Sequence, residues 1–421
     1  MFPNQGVVLV KKRGLAEWLA LFIFLMPFLL PTLLQLFHLP GVIKYTIDLA
    51  WVGLLFAFVF NKQLTLNRRL IPMVVFICVI VMYTFVVYLF RFQSPFYYLW
   101  GVRNNFRFYI AVFAAAILLG RDDIKTLFQF IDVMFWANTL VTAFQFIALG
   151  HKGDYLGGIF GTEVGCNAST MILSALVVTK SLLMYMDGKE KTLLCWLKCG
   201  VTLLLAALTE LKFFFLLFVI ILIMAACLTK FSWKKVFLFF VLSVFLMFSS
   251  SLLTAVMGSD ISWETIEKLL RATSYSSNKD LGRISAIPTI SQTILTDFPS
   301  KLFGLGLGNC DTASFSLCNT PFFQEHGYLH YSWFSSAFLF LETGYVGLML
   351  NLLFFVITMI VSGKVLKGNT GENRLYGQIG MIIATVCIVL TFYNSSLRTE
   401  IGYIAYLGLA LPWIASKQNA V

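Results

Sequence analysis

His326 and His330 stand four residues apart in Gln324-Glu325-His326-Gly327-Tyr328-Leu329-His330-Tyr331, and they are two of only four histidines in the 421-residue chain. Imidazole titrates near pH ~6.5, which suits it to activate a hydroxyl group. As a metal site the pair is incomplete. Glu325 and Asp311 are the candidate third ligands, but neither stands at a diagnostic spacing and no HExxH order is present. A structural histidine satisfied by its neighbours accounts equally well for either one.

Four cations complete the candidate set: Arg103, Arg107, Lys212 and Arg283. Arg103 and Arg107 are four apart, so on a helix they share one face. Guanidinium groups bind phosphate oxygens bidentately, the competing role being to snorkel to lipid headgroups. Lys212 sits with Glu210 in the turn Thr209-Glu210-Leu211-Lys212 between two apolar segments. A charge near bilayer depth costs about 2.5–3.5 kcal/mol on insertion scales, so such residues generally face a polar cavity. A simple pair between Lys212 and Glu210 is the competing account.

These residues must be positioned by membrane elements. The chain is 59% hydrophobic, with 43 Phe and only 12% charged residues, against about 25% charged in soluble proteins. That excludes a soluble enzyme. Apolar segments of roughly 20 residues, the length needed to cross a bilayer as a helix, fall at 16–37, 43–60, 71–90, 107–119, 127–149, 167–186, 193–209, 211–228, 236–257, 343–362, 377–393 and 399–415. The fold class predicted is all-α, a polytopic membrane bundle of about 12 helices with one large extracytoplasmic loop containing short helices. The apolar run after Lys11-Lys12-Arg13 is too long for a cleaved signal peptide and reads as a retained first span.

The net charge of +11 is distributed by side rather than directed at nucleic acid, which is not an expected partner. With the N-terminus in the cytoplasm, 17 basic residues fall in inner segments and seven in short outer ones, namely Lys44, Arg91, Arg103, Arg107, Lys152, Lys212 and Arg398. Both termini are therefore expected to be cytoplasmic, with Lys180 and Lys198 snorkelling from the inner ends of their spans. Residues 1–257 and 343–421 form the membrane bundle, and 258–342 the outer loop. Loops longer than about 15 residues are usually functional or disordered, and this one is not disordered in composition. Within it, Ile261–Arg271 reads as an amphipathic interfacial helix, with Trp263, Ile266, Leu269 and Leu270 on one stripe. The apolar run from Tyr331 to Val361 is too long for one straight span. Its first part is expected to be interfacial or re-entrant, with the span beginning near Gly344.

Of eight cysteines, Cys310 and Cys318 both lie in the outer loop and can form a disulfide if that side is oxidising. Cys195 and Cys199 are one turn apart, but no nearby ligand completes a metal site. Gly304-Leu305-Gly306-Leu307-Gly308 follows no strand and opens no helix, so a tight turn is a better account than a phosphate loop. There is no GxSxG or Walker sequence. A carrier built of two repeated halves is disfavoured because the elaboration lies between spans nine and ten.

Taken in order, Leu281-Gly282-Arg283-Ile284, then Phe298-Pro299-Ser300-Lys301-Leu302-Phe303-Gly304-Leu305-Gly306-Leu307-Gly308-Asn309, a loop histidine and Glu342-Thr343-Gly344-Tyr345-Val346-Gly347-Leu348 resemble the outer-loop signature of the bacterial O-antigen polymerase and O-antigen ligase superfamily. The resemblance covers about 70 residues of the loop region. It implies a metal-independent glycosyltransferase without a cofactor, in the bacterial inner membrane, that moves glycan from an undecaprenyl-pyrophosphate-linked oligosaccharide to a sugar hydroxyl on the outer face. Membrane lipid, a chain-length regulator and a flippase are the partners it implies. Arg283 matches the family's loop arginine and would bind the leaving pyrophosphate, with Lys212, Arg103 and Arg107 as further phosphate-binding cations. Lys212 replaces the arginine common there, keeping the charge but losing the fork. His330 would be the acceptor-activating base, with His326 as alternate. The gap from His330 to Gly344 is 14 residues, wider than in ligase-like members. A polymerase of repeat units is the leading expectation. A ligase handing finished glycan to lipid A core, or a flippase, is the alternative.

Overall fold

A computed structural model describes residues 13–35, 37–60, 67–230, 233–257, 267, 280–312 and 319–418. Every regular element among them is helical. The first nine long helices are α1 (Leu15–Gln35), α2 (Thr46–Phe60), α3 (Ile71–Arg91), α4 (Pro95–Leu118), α5 (Arg121–Ile147), α6 (Asn167–Met186), α7 (Thr192–Leu208), α8 (Lys212–Leu228) and α9 (Trp233–Met257). Three short ones follow, α10 (Ala286–Thr293), α11 (Phe298–Phe303) and α12 (Pro321–His326), and then α13 (Ser335–Gly368), α14 (Gly371–Tyr393) and α15 (Gly402–Gln418). The segment read as an interfacial helix, Ile261–Arg271, and the partner thiol Cys318 lie outside the described residues.

Each of the twelve expected apolar segments falls on one of the long helices. Among the described residues, seven segments are long and apolar enough to cross a membrane: α1, α3, α5, α6, α13, α14, and α2 extended back to Gly41. Helices α7, α8 and the stretch Phe239–Ala255 of α9 are apolar but shorter. The fourth segment was placed too late. Helix α4 starts at Pro95, a residue suited to the first turn, and not near residue 107. Arg103 and Arg107 are thus inside a helix rather than just beyond one. Their polar stretch lowers local hydropathy, but it faces protein.

The outward surface is apolar. Met349, Leu353, Val356 and Ile360 form an exposed stripe along α13, and Ile71, Val75, Val79, Met82, Val86 and Leu89 form another along α3. Contiguous apolar faces of this kind are rare on a water-soluble surface and suit hydrocarbon. Helix α15 is the opposite case, with almost every side chain from Gly402 to Ser416 buried, enclosed by α4, α6, α13 and α14. Its Tyr406 stacks on Phe108 (5.0 Å, 20°), and Gly380 lets α14 close on Pro412, where an added Cβ would stand 2.5 Å from the ring. Small residues permit such close approach where hydrophobic driving force is absent.

Helix ends segregate. At one end, polar side chains cap C-terminal carbonyls: the cations Arg69 and Lys417 donate to Ser416 O (2.5 Å) and Ile117 O, and the neutral Gln378 amide donates to Leu228 O (2.9 Å). Arg13 pairs there with Asp123 (2.7 Å). Positive groups suit the negative ends of helix dipoles. Lys180 and Lys198 do not snorkel. Both are buried, Lys180 against Asp132 (2.5 Å) and Lys198 between Asp132 (3.3 Å) and Glu190 (2.8 Å). Carboxylates on α5 and just before α7 meet both ammonium groups within the protein, so pairing replaces solvation.

At the other end lie the long connections. Leu281, Ala286, Ile290, Leu295, Cys310, Tyr331, Phe334, Phe338 and Leu341 bury one another, so the described part of the long loop packs on the start of α13. That helix, about 51 Å if straight at 1.5 Å per residue, breaks at Gly344 (φ 61°, ψ −167°).

Candidate functional site

Lys212 and Arg283 converge on one cavity of about 430 Å³, within the usual range for small-molecule sites. Asp154, Glu210, Trp333, Tyr393 and Asn394 also line it, as do Asn167 and Ala168 at the start of α6. Three helices begin at its wall: α6 at Asn167, α8 at Lys212, and α13 one residue after the lining Phe334. Helix N-termini present amide N–H groups and the positive ends of their dipoles, which favours an anion. The formal charges of the lining side chains are balanced, two cations against two carboxylates, and Lys212 N–H and Ser335 N–H already donate to Glu210 O and Asn394 O, so what the helix starts add is the positive ends of their dipoles.

Each cation is held differently. Arg283 lies over the ring of Tyr393, 4.6 Å from its centroid, and Tyr393 stacks on Phe213 (3.9 Å, 13°). Stacking holds the guanidinium plane in one orientation while leaving its edge for hydrogen bonds. Lys212 opens α8 and contacts Glu210 at 3.1 Å. The turn itself is tight, with Lys212 N–H donating to Glu210 O (2.9 Å), and Glu210 has φ 57°. The pair posed as a competing account of Lys212 therefore exists, and it stands inside the cavity.

A second connection braces this wall. The Asn167 amide donates both to Asp154 Oδ1 (2.8 Å) and to Thr209 O (2.9 Å), tying the α5–α6 connection to the α7–α8 turn. Opposite, Ser335 N–H and Oγ both donate to Asn394 O (3.1 and 2.9 Å), tying the start of α13 to the α14–α15 connection.

The other predicted residues sit elsewhere. His330 does not line the cavity. Its ring is stacked flat on the lining Trp333 (4.1 Å, 6°), and its backbone is left-handed (φ 50°). His326 lies further off, against Phe322 (4.7 Å) and 3.8 Å from Glu325. The two histidines are not on one helical face, because α12 ends at His326 and a 3₁₀ turn follows. Among the described residues no group of three His, Cys, Asp or Glu could hold a metal ion.

Arg103 and Arg107 are both engaged. Arg103 grips Asp48 through Nε (3.1 Å) and Nη2 (2.6 Å). Arg107 is buried and bonds Glu400 Oε1 (2.7 Å) and Arg398 O (3.2 Å). They brace α4 against α2 and the α14–α15 connection, and neither lines the cavity. The signal missed in the sequence is the segment Tyr393–Glu400. Its Tyr393, Asn394, Ser395 and Thr399 line the cavity, and Arg398 turns inward over Phe338 (3.2 Å). Burial pulls Arg398 below the usual arginine range, against the opposing pull of Asp311 and Glu342. Polar residues flanking a short connection at the right end of the bundle were the available clue.

The glycine run and the Glu342-Thr343-Gly344 motif form one joint. Leu305 and Gly306 N–H donate to Leu341 O (2.8 Å) and Glu342 O (2.9 Å). A Cβ on Gly304 would stand 2.5 Å from Glu342 C, and one on Gly308 1.8 Å from Tyr97 O. This is a turn clamped between α4 and the α13 kink, and it is not a phosphate cradle. Compared with protein-family models the chain matches none, and no curated protein matches it.

Proposed function

We propose that the chain is a membrane glycosyltransferase that polymerises undecaprenyl-pyrophosphate-linked oligosaccharide repeat units into O-antigen, capsule or exopolysaccharide. In this reading the twelve long helices all cross the bacterial inner membrane, both termini are cytoplasmic, and the cavity opens on the outer face. The observation that carries it is the convergence of Lys212 and Arg283, 71 residues apart in the chain, on one cavity ringed by three helix N-termini.

Chain extension breaks the bond between the anomeric carbon of the growing glycan and its pyrophosphate carrier. Negative charge develops on the leaving phosphate oxygen. Preorganised cations and N–H groups stabilise such charge best where water is scarce, and Arg283 offers two parallel donors on a plane held by Tyr393. Lys212 adds a point charge that can move between Glu210 and the phosphate. The hydroxyl of the incoming unit forms the new bond and yields undecaprenyl pyrophosphate and a lengthened lipid-linked chain.

Deleting the gene in its host tests this directly. Loss of long polysaccharide with single repeat units still made is the expected result, and retained long polysaccharide sinks the reading. Accumulation of long lipid-linked polymer in the deletion strain would mark a ligase instead. Movement of labelled lipid-linked sugar across a bilayer without lengthening would mark a flippase. In complementation, Arg283→Ala should lower chain extension at least about 100-fold with the protein still present in the membrane.

A further inference from the structure

We infer that Glu210 is the general base that takes the proton from the acceptor hydroxyl, an inference that rests on the glycosyl-transfer reading above. Three observations point to it. Glu210 and Asp154 are the carboxylates that line the cavity shared by Lys212 and Arg283. Asp154 is committed to structure, accepting from Asn167 while its carbonyl accepts from Gly165 N–H (3.1 Å). Among the described residues the Glu210 carboxylate pairs with Lys212 Nζ at 3.1 Å, a partner on a flexible four-carbon stem that a phosphate can draw away.

The backbone is shaped around this carboxylate. Glu210 holds φ 57°, a region where glycine or asparagine would be unstrained. Across from it, Gly153 also has a positive φ, 57°, and a Cβ there would stand 2.9 Å from Glu210 Oε2. Two positive-φ positions on separate connections thus leave room for one carboxylate beside the cavity. His330, by contrast, is stacked flat on Trp333 and does not line the cavity.

The step balances without a co-reactant. The acceptor oxygen forms the new bond to the anomeric carbon as its proton passes to the Glu210 carboxylate. The bond from that carbon to phosphate breaks, and its electron pair leaves on the pyrophosphate held by Lys212 and Arg283. Lys212 pairs with Glu210 at 3.1 Å; once Lys212 turns to the pyrophosphate, the base is released beside the bound donor substrate. Proton acceptance would thereby follow donor binding.

The test uses membranes of the host deletion strain carrying the full-length chain, with extension of the native repeat unit as the rate and undecaprenyl pyrophosphate as the binding probe. Glu210→Gln should slow extension about 100-fold or more, the range typical of a lost general base, while affinity for undecaprenyl pyrophosphate changes less than about threefold. Glu210→Gly, whose backbone suits the left-handed turn, should be inactive and recover activity with added formate. A smaller loss in Glu210→Gln, or no recovery of Glu210→Gly with formate, overturns the assignment while leaving the polymerase reading intact. Absence of extension by the unaltered chain would overturn the polymerase reading itself and with it this inference.

Discussion

Glu210 and Lys212 stand two positions apart, and the left-handed backbone at the first turns both side chains toward the same cavity. In sequence they read as a counter-ion pair, and the contact of 3.1 Å bears that out; what sequence could not show is that Arg283 and Asp154 share the space. The histidines show the reverse case. Their four-residue spacing suggested one helical face, but His330 lies beyond the end of α12 and stacks on Trp333. That stacking supports the cavity-lining Trp333. His330→Ala should reduce extension several-fold, through a higher apparent KM for the lipid-linked unit, and should leave the pH profile of the rate unchanged. A loss as deep as that of Arg283→Ala, with an altered pH profile, would return the histidine to the chemistry.

At the scale of elements, the glycine-rich motifs act as joints. Gly308 nests against Tyr97 and Gly101 of α4, and Gly344 breaks α13 where a Cβ would meet Leu302 O at 2.3 Å. Overpacking a tight contact costs about 1–3 kcal/mol, and more where backbone must move. Gly308→Val should therefore lower the thermal midpoint of the detergent-solubilised protein by several degrees or prevent its accumulation; an unchanged midpoint would contradict the clamp. The charges between α5, α6 and α7 form a second joint. Lys198 and Glu190 are almost fully enclosed, 3% and 5% exposed, and breaking a buried pair from one side costs roughly 3–5 kcal/mol. Lys198→Leu should destabilise the protein by about that amount, whereas pairing it with Glu190→Leu should recover part of the loss, as a double-mutant cycle in unfolding would read. Additive losses would mean that the two groups do not interact.

Across the whole molecule, basic residues divide between two ends. Arg69, Arg374 and Lys417 close one end on helix C-termini, while Lys212, Arg283 and Arg103 lie toward the other. Under the proposed topology the cavity end faces outward. In a variant freed of reactive native thiols, Thr399→Cys should label with a membrane-impermeant maleimide added to intact cells, whose outer membrane has been permeabilised. Lys189→Cys should label only after the inner membrane is opened. The reverse pattern would put the cavity in the cytosol and remove its access to an outer-face substrate.

Apolar length was enough to find the long helices, seven of which are long and apolar enough to cross a membrane among the described residues, because a span must be about 20 residues of continuous low polarity whatever it packs against. The kink at Gly344 was legible for the same reason, since a helix of 34 residues exceeds the hydrocarbon thickness. Burial was not legible: α4 starts twelve residues earlier than its hydropathy indicates, because Arg103 and Arg107 are shielded by Asp48 and Glu400 from partner segments. The sequence by itself thus determined the all-helical class, the approximate places of the long apolar helices and the inventory of cationic and acidic side chains. Only the tertiary structure decided which of those residues meet, since Lys212, Arg283, Asp154 and Tyr393 come from four separate helix ends and connections whose approach depends on packing across the bundle and not on any local spacing.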